Sequence, residues 1–346
     1  MNDVFLEAAY RVLLRRPPDA GVQARASALY PNELTLIRSI LHSAEFAFLY
    51  GHELQGPQAR LDYSIFKDLH VYDGPGAPGF LTDFLGVRTS VAFVEHLSAR
   101  DGAVEGLPLP FGNWHGDICE WIGSMKAVMA AKDRLIVYEL GAGWAPWLVA
   151  CAFTARQKGI TNVRLTGVEG SRHHFEMMEQ HFRTNNLDPA NHRLLHAIAG
   201  AQDGEAEFPV LPNPSLDWGA AASFSPRNKT SDSHIDYRGH RFAEVERVPV
   251  YALSTLLSED DRVDLVHIDI QGHEAEVVAG SIDAVTSKVK RMIVGTHSRA
   301  LETQVADLLA PRGWLLELDS ACRMTVQDGQ VLYPVDGAQI WVNPAL

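Results

Sequence analysis

Positive charge is what this sequence has least of. Thirty lysines and arginines stand against 43 aspartates and glutamates, a formal net charge of −13 over 346 residues. Nucleic acid and anionic lipid surfaces are therefore poor main partners. Cysteine is scarce as well. Cys119, Cys151 and Cys322 are odd in number and scattered, so they form no disulfide framework, zinc spacing or redox pair, and a cytoplasmic location is the default expectation. No apolar run approaches the ~20 residues that a membrane-spanning helix needs. The first residues, MNDVFLEAAYRVLLRRPP, are amphipathic and lack the basic stretch and apolar core of a secretory signal.

What is present is an ordinary globular composition, 46% hydrophobic and 21% charged, in a chain long enough for one large domain and a small one. Three regions separate. Residues 1–55 read as a small all-α domain. Phe5, Ala8, Ala9, Val12 and Leu13 recur at helical spacing, Arg16-Pro17-Pro18-Asp19 breaks the pattern, and a last helix is expected from about Leu34 to Leu49. This piece is too small for a deep active site and reads as a docking module, for a second copy or a partner. Residues 56–112 are rich in glycine and proline, as in Gly74-Pro75-Gly76-Ala77-Pro78-Gly79, and read as a linker and cap with short helices.

Residues 113–346 alternate strand and helix. Strands are expected at 135–140, 163–168, 193–198, 263–270 and 291–295, with helices at 147–158, 173–185, 274–285 and 301–309 between or after them. A hairpin arm is expected at 206–210, and two final strands at 314–318 and 339–342. Repeated βαβ units imply a doubly wound α/β fold, Rossmann-like and mostly parallel. The last two strands, close in sequence, suggest an antiparallel C-terminal edge.

Glu139-Leu140-Gly141-Ala142-Gly143-Trp144 falls where the first strand turns into the first helix. Glycines at 141 and 143 let the backbone turn sharply and approach a ligand. A dinucleotide fold wants a third glycine, G-x-G-x-x-G. Here Pro146 stands near that position and removes one N–H donor. Glu139 would repel a pyrophosphate, but it suits a cationic amino group such as the α-ammonium of S-adenosylmethionine. Glu169 ends the second strand, where an acid can bind ribose hydroxyls. Ser171 follows it, and His196-Ala197, closing the third strand, would flank the adenine.

His267-Ile268-Asp269-Ile270-Gln271-Gly272-His273-Glu274 is the densest run of functional groups, at the carboxyl end of the fourth strand. A carboxylate in an apolar strand is costly unless used, which singles out Asp269. Gly295-Thr296-His297-Ser298 ends the fifth strand. His267 reads as a core histidine and Glu274 as a helix cap. Asp269, His273 and His297 are the catalytic candidates. One imidazole would take a proton from an acceptor hydroxyl while Asp269 orients it. A divalent ion on these three is chemically reasonable, but no metal is assigned. Between the third and fourth strands, residues 211–247 form a long polar, aromatic insertion with Asp217, Trp218, Ser223, His234, Tyr237 and His240. It is expected to cover the site, with Trp114, His115 and Trp218 touching the acceptor.

The segments Tyr138 to Trp144, Gly167-Val168-Glu169, Ile268 to Glu274 and Gly295 to Ser298 together resemble the FkbM family of S-adenosylmethionine-dependent methyltransferases. The resemblance covers about residues 110–345. It implies O-methylation of hydroxyl groups on sugars, polysaccharides or polyketides. Gln271 departs from the Glu that family members often carry. Residues 9–19, with Ser43-Ala44-Glu45-Phe46, look like a small helical domain attached to glycan-modifying bacterial proteins, although its usual L-G-R is here Leu14-Arg15-Arg16. That match favours a glycan acceptor and a glycan-synthesis partner. Two rival readings are a silent recruiting module, against which the intact glycine loop speaks, and a nicotinamide-dependent oxidoreductase, against which Glu139 and the missing glycine speak.

Overall fold

A computed structural model describes residues 3–14, 17–18, 20–41, 43, 63–108, 112–222, 234–235, 241–242, 244–327 and 329–346. The chain divides into two compact units, Met1–Leu61 with Pro108–Ile118, and Asp62–Leu107 with Cys119–Leu346. The segment expected as a linker is thus mostly part of the larger unit.

In the first unit, three helices, α1 (Asp3–Leu13), α2 (Ala20–Leu29) and α3 (Glu33–Leu41), bury Leu6, Tyr10, Leu14, Ala26, Leu36 and Ile40 in one small core. Of the helix expected at about 34–49, Glu33–Leu41 is helical, and residues 44–49 lie outside the described residues. Ala44-Glu45-Phe46, Arg15, Arg16 and Asp19 lie outside the described residues. Among the described residues, no helix is long and apolar enough to cross a membrane.

The second unit is built on seven strands: β1 (Arg134–Leu140), β2 (Asn162–Glu169), β3 (Arg193–His196), β4 (Leu265–Ile268), β5 (Arg291–Thr296), β6 (Leu315–Ser320) and β7 (Gly337–Val342). Their order is β6-β7-β5-β4-β1-β2-β3. β3, β2, β1, β4 and β5 run parallel, and β7 inserts antiparallel between β5 and β6. Both faces are covered by helices, including α4 (Ile118–Ala130), α5 (Pro146–Gln157), α6 (Arg172–Thr184), α7 (Glu274–Gly280), α8 (Ile282–Lys288) and α9 (Arg299–Leu309). This explains why β1, β4 and β5 read as continuous apolar runs. The parallel strands all end at one edge, which carries Gly141, Glu169, His196, Asp269 and His297.

The structure differs from the sequence expectations at four places. The third strand breaks at Ala197, whose N–H donates to the Glu169 carbonyl at 3.0 Å. The chain then leaves the main sheet, and Ile198–Gly200 pairs parallel with Val245–Ala252. The expected hairpin arm, Gly204–Pro209, pairs antiparallel with that same strand. Pro249 hid Val245–Ala252, because proline argues against a central strand. It is tolerated here because pairing with Ile198–Gly200 begins only at Val250. The helix expected at 274–285 is two helices, broken at Ser281, whose hydroxyl accepts the N–H of Ser254 at 2.8 Å. Between β6 and β7 a second hairpin stands out, Arg323–Gln327 with Gln330–Val335.

Residues 63–107 contain a hairpin, Phe80–Thr82 with Arg88–Ser90, besides short 3-10 turns. It docks on α6. The Asn185 side chain accepts the Arg88 N–H and donates to the Arg88 carbonyl, both at 2.9 Å. Beside it, buried His181 bridges outward in two directions. Its Nδ1–H donates to the Trp144 carbonyl at 2.9 Å, and Nε2 lies 3.3 Å from the Thr89 hydroxyl. In the neutral ring Nε2 accepts from the Thr89 hydroxyl. Burial pushes its pKa down to about 4, against the pull of the Trp144 carbonyl.

Two outcomes are expected. Gly167, in the middle of β2, has Met178 and Leu148 against its α-carbon. Gly167→Val should therefore lower stability by about 1–3 kcal/mol in urea unfolding. For His181 the folded pKa lies below the ordinary value of about 6.5, so the unfolded chain takes the proton first. Its stabilising contribution is complete above that value and is lost as pH falls from about 6.5 toward about 4, a loss on the order of 3 kcal/mol. Unfolding midpoints of wild type and His181→Gln across this range should differ in slope, the variant being the flatter.

Candidate active site

The loop after β1 is bent by left-handed residues. Gly141 has φ +74° and Gly143 φ +55°, and Ala145, just before α5, shares that conformation at +59°. Gly141 is obligatory for a second reason. A Cβ there would collide with the carbonyl oxygen of Asp269, at the end of the neighbouring β4. The loops from β1 and β4 therefore touch backbone to backbone.

Glu139 lies beneath this loop, buried. Its carboxylate accepts the N–H of Leu148 at 2.9 Å and that of Trp147 at 3.5 Å, so it caps α5. Burial pushes its pKa up to about 8, although His267 and these two N–H groups pull the other way. The first free donors of α5 are thus taken by the protein itself, and Pro146 supplies none. A pyrophosphate would find little at this helix end. His267, beside Glu139 on β4, pairs through Nε2 with Glu120 of α4 at 2.9 Å and stacks under Trp147. Its pKa is raised by Glu120 and Glu139, in spite of burial. The core reading of His267 is thus matched by a buried ion pair, for which Glu120 carried no sequence signal.

Glu169, also buried, joins two segments. One oxygen accepts the Gly143 N–H at 2.8 Å and the other accepts the Ser171 N–H at 2.7 Å. Ser171 caps α6 through its hydroxyl, which accepts the His174 N–H at 3.4 Å. His196 lies across from Glu169 in the β2–β3 register. Its Nε2 is 3.1 Å from the Gly170 carbonyl, and Ala197 is buried behind it. Ala142 is buried in the loop itself.

Trp218 stands at the glycine loop. Its ring lies flat on His174, with centroids 4.0 Å apart at 7°, and meets Trp144 edge-on at 4.6 Å. Its nearest atom is 3.4 Å from where a Gly143 Cβ would be. His174 is fixed in turn by the Pro214 carbonyl at 2.8 Å. The expected acceptor contact therefore lies against the glycine loop. Trp114 and His115, packed ring to ring at 4.7 Å, belong to the first unit. Ser223, Tyr237 and His240 of the expected cover lie outside the described residues, as does the side chain of His234.

At the tips of β4 and β5 the structure gathers Asp269, Glu274 and His297. His297 Nε2 is 3.2 Å from Asp269 Oδ1, and Nδ1 is 3.3 Å from Glu274 Oε1. Glu274 Oε1 also accepts the N–H groups of Ile270 at 2.8 Å and Gly272 at 3.2 Å. Burial disfavours the imidazolium, but Asp269 and Glu274 outweigh it and raise His297 to about 11. The two carboxylates thus favour the protonated ring as long as nothing else neutralises them. His273 is set apart. It turns toward Glu276, 3.3 Å away, at the start of α7. Glu274 takes the place expected for His273, and its only advance signal was an acid two residues beyond a strand-end glycine. Gln271, left-handed at φ +60°, donates to Asp269 Oδ1 at 3.1 Å.

Several known proteins are similar to this chain. The methyltransferase FkbM domain matches residues 151–320. A protein of Jannaschia sp. (strain CCS1) with the name "Putative methyltransferase" is 34% identical over 281 residues, covering 81% of this chain and 98% of its own length. Among solved structures, a methyltransferase FkbM from Methylobacillus flagellatus KT is 10% identical with a TM-score of 0.36, covering 72% of this chain and 58% of that one. The precorrin-6y C5,15-methyltransferase from Geobacter metallireducens GS-15 is 12% identical with a TM-score of 0.37, covering 67% and 92%. The chain belongs to the FkbM family of S-adenosylmethionine-dependent methyltransferases.

Proposed function

We propose that this enzyme methylates a hydroxyl group of a sugar, a surface glycan or a related secondary metabolite in the cytoplasm. The observation that carries the reading is the backbone contact between Gly141 and Asp269. It joins a glycine loop suited to a cofactor with a polar cluster suited to an alcohol. S-adenosylmethionine, when bound, supplies a methyl group already activated on a sulfonium.

The chain's own residues have separate tasks in this reading. Gly141, Ala142, Gly143 and Trp144 present backbone to the cofactor, and Glu139 holds the helix behind them. Glu169 and Ser171 face the ribose hydroxyls, with His196 and Ala197 along the adenine. The Gly143 N–H held by Glu169 fixes the loop in one shape, so less ordering is left for binding. On the acceptor side, Asp269 is the most open of its cluster, its side chain 36% exposed against 4% for His297 and 0% for Glu274. It is thus the member that can meet a hydroxyl, while His297 and Glu274 hold it in place. Aiming the nucleophile is much of the catalysis in such a displacement. Aromatic rings such as Trp218 beside hydrogen-bonding groups suit a sugar, with its apolar faces and hydroxyls.

Two results are expected. Gly143→Val places a branched side chain at a left-handed residue against Trp218. It should abolish S-adenosylmethionine binding in calorimetry while circular dichroism stays native, and unchanged affinity would refute the cofactor assignment. His297→Ala should lower single-turnover rates with a glycoside acceptor by roughly a hundred-fold, through misplacement of Asp269, with cofactor affinity nearly constant. His273→Ala should cost less than about tenfold, since His273 faces Glu276. Equal losses in both variants would place His273 back in the chemistry.

A further inference from the structure

Asp269, Glu274 and His297 each offer one ligand atom, and these atoms all lie within 4.8 Å of one another. We propose that the three residues hold a divalent cation, and that this ion binds the acceptor through a hydroxyl and a neighbouring oxygen. The proposal rests on the O-methyltransferase reading and names its substrate class, a polyhydroxylated acceptor with adjacent oxygens.

Three arguments support it. The first is spacing. Donors around an ion at metal–ligand distances of about 2.0–2.3 Å lie roughly 3 Å apart when adjacent and about 4–4.6 Å apart when opposite. Small side-chain adjustments therefore gather these three. The second is charge and donor type. Two carboxylates balance a dication, and one imidazole with two carboxylates suits Mn, Fe, Co or Zn better than Ca or Mg. The third is construction. Gly295 leaves room for the Asp269 carboxylate, since a Cβ there would stand 3.0 Å from its Cγ. Glu274 is fixed by the N–H groups of Ile270 and Gly272. Behind the β5 tip, Glu302 Oε1 accepts the Cys322 N–H at 2.6 Å and the Thr296 hydroxyl at 3.4 Å, which pins the turn that carries His297.

The direction of opening follows from burial. Glu274 and His297 are closed in, and Asp269 is partly exposed. Free coordination positions therefore face outward beside Asp269 and the Gly141 backbone. An ion with three protein ligands keeps such positions for substrate and acts as a Lewis acid. It lowers the cost of removing the hydroxyl proton, which leaves to solvent. Two neighbouring oxygens chelate better than one, so an acceptor with adjacent oxygens is preferred over an isolated alcohol.

Manganese(II) titrated into the full chain tests this, followed by calorimetry and by the paramagnetic resonance of the free ion. One ion per chain is expected for wild type and for Glu276→Gln, an exposed acid nearby. His297→Ala, Asp269→Asn and Glu274→Gln should each weaken binding by more than about tenfold. S-adenosylhomocysteine binding and circular dichroism in the same samples report folding and test the cofactor reading separately. Should Glu274→Gln fail to fold, the other two variants decide. Wild type that binds S-adenosylhomocysteine but takes up neither manganese nor zinc in stoichiometric amount overturns the cation site and leaves the methyltransferase reading standing. Equal manganese affinity in wild type and all folded variants overturns it as well.

Discussion

The carbonyl of Asp269 rests where Gly141 would otherwise carry a side chain. Everything at the strand ends depends on this approach. Pairing of β4 with β1 brings Ile268 opposite Leu140, so the next residue of each strand must share the same space. Only glycine at 141, at positive φ, lets both chains turn away without separating the sheet. The contact fixes the distance between the glycine loop and the Asp269 carboxylate through main chain rather than side chains.

Around that junction the protein solves one electrostatic problem repeatedly. Glu139, Glu169 and Glu274 are all buried acids, and a buried carboxylate is costly when alone. Each accepts two backbone N–H groups, at the start of α5, at the Gly143 and Ser171 turns, and at Ile270 and Gly272. The acids are thereby the mortar of the loops. They consume the donors that a phosphate would need, which separates this site from a dinucleotide site built on a similar strand–turn–helix.

Much of this was legible in the sequence. Continuous apolar runs marked β1 and β5, and the spacing of glycines and acids at strand ends marked the edge that carries the site. The mostly parallel sheet followed from repeated βαβ units. Other features were hidden for physical reasons. Val245–Ala252 alternates as a strand should but carries Pro249, and its neighbours are far away in sequence. The break after His196, where the chain leaves for a second sheet and Ile198–Gly200 pairs with Val245–Ala252, depends on a partner strand about fifty residues away, which no local pattern encodes. His273, read as a catalytic candidate, and Glu274, read as a helix cap, are neighbours in the chain. Which one reaches His297 is decided by where α7 begins, and helix ends are poorly marked by periodicity. The partnership of Glu120 with His267 joins residues 147 positions apart, beyond any motif.

The way the long insertion is anchored has an evolutionary meaning. It leaves the three-stranded sheet at Pro209 and returns at Val245, and these two residues are paired opposite each other. The Val210 N–H donates to the Glu244 carbonyl at 2.9 Å, closing the neck once more. Residues added or removed beyond this neck change no pair in the sheet and cost only loop-closure entropy, which grows slowly with length. This segment can therefore lengthen or shorten by insertion and deletion while the register of the sheet on either side of the neck stays as it is.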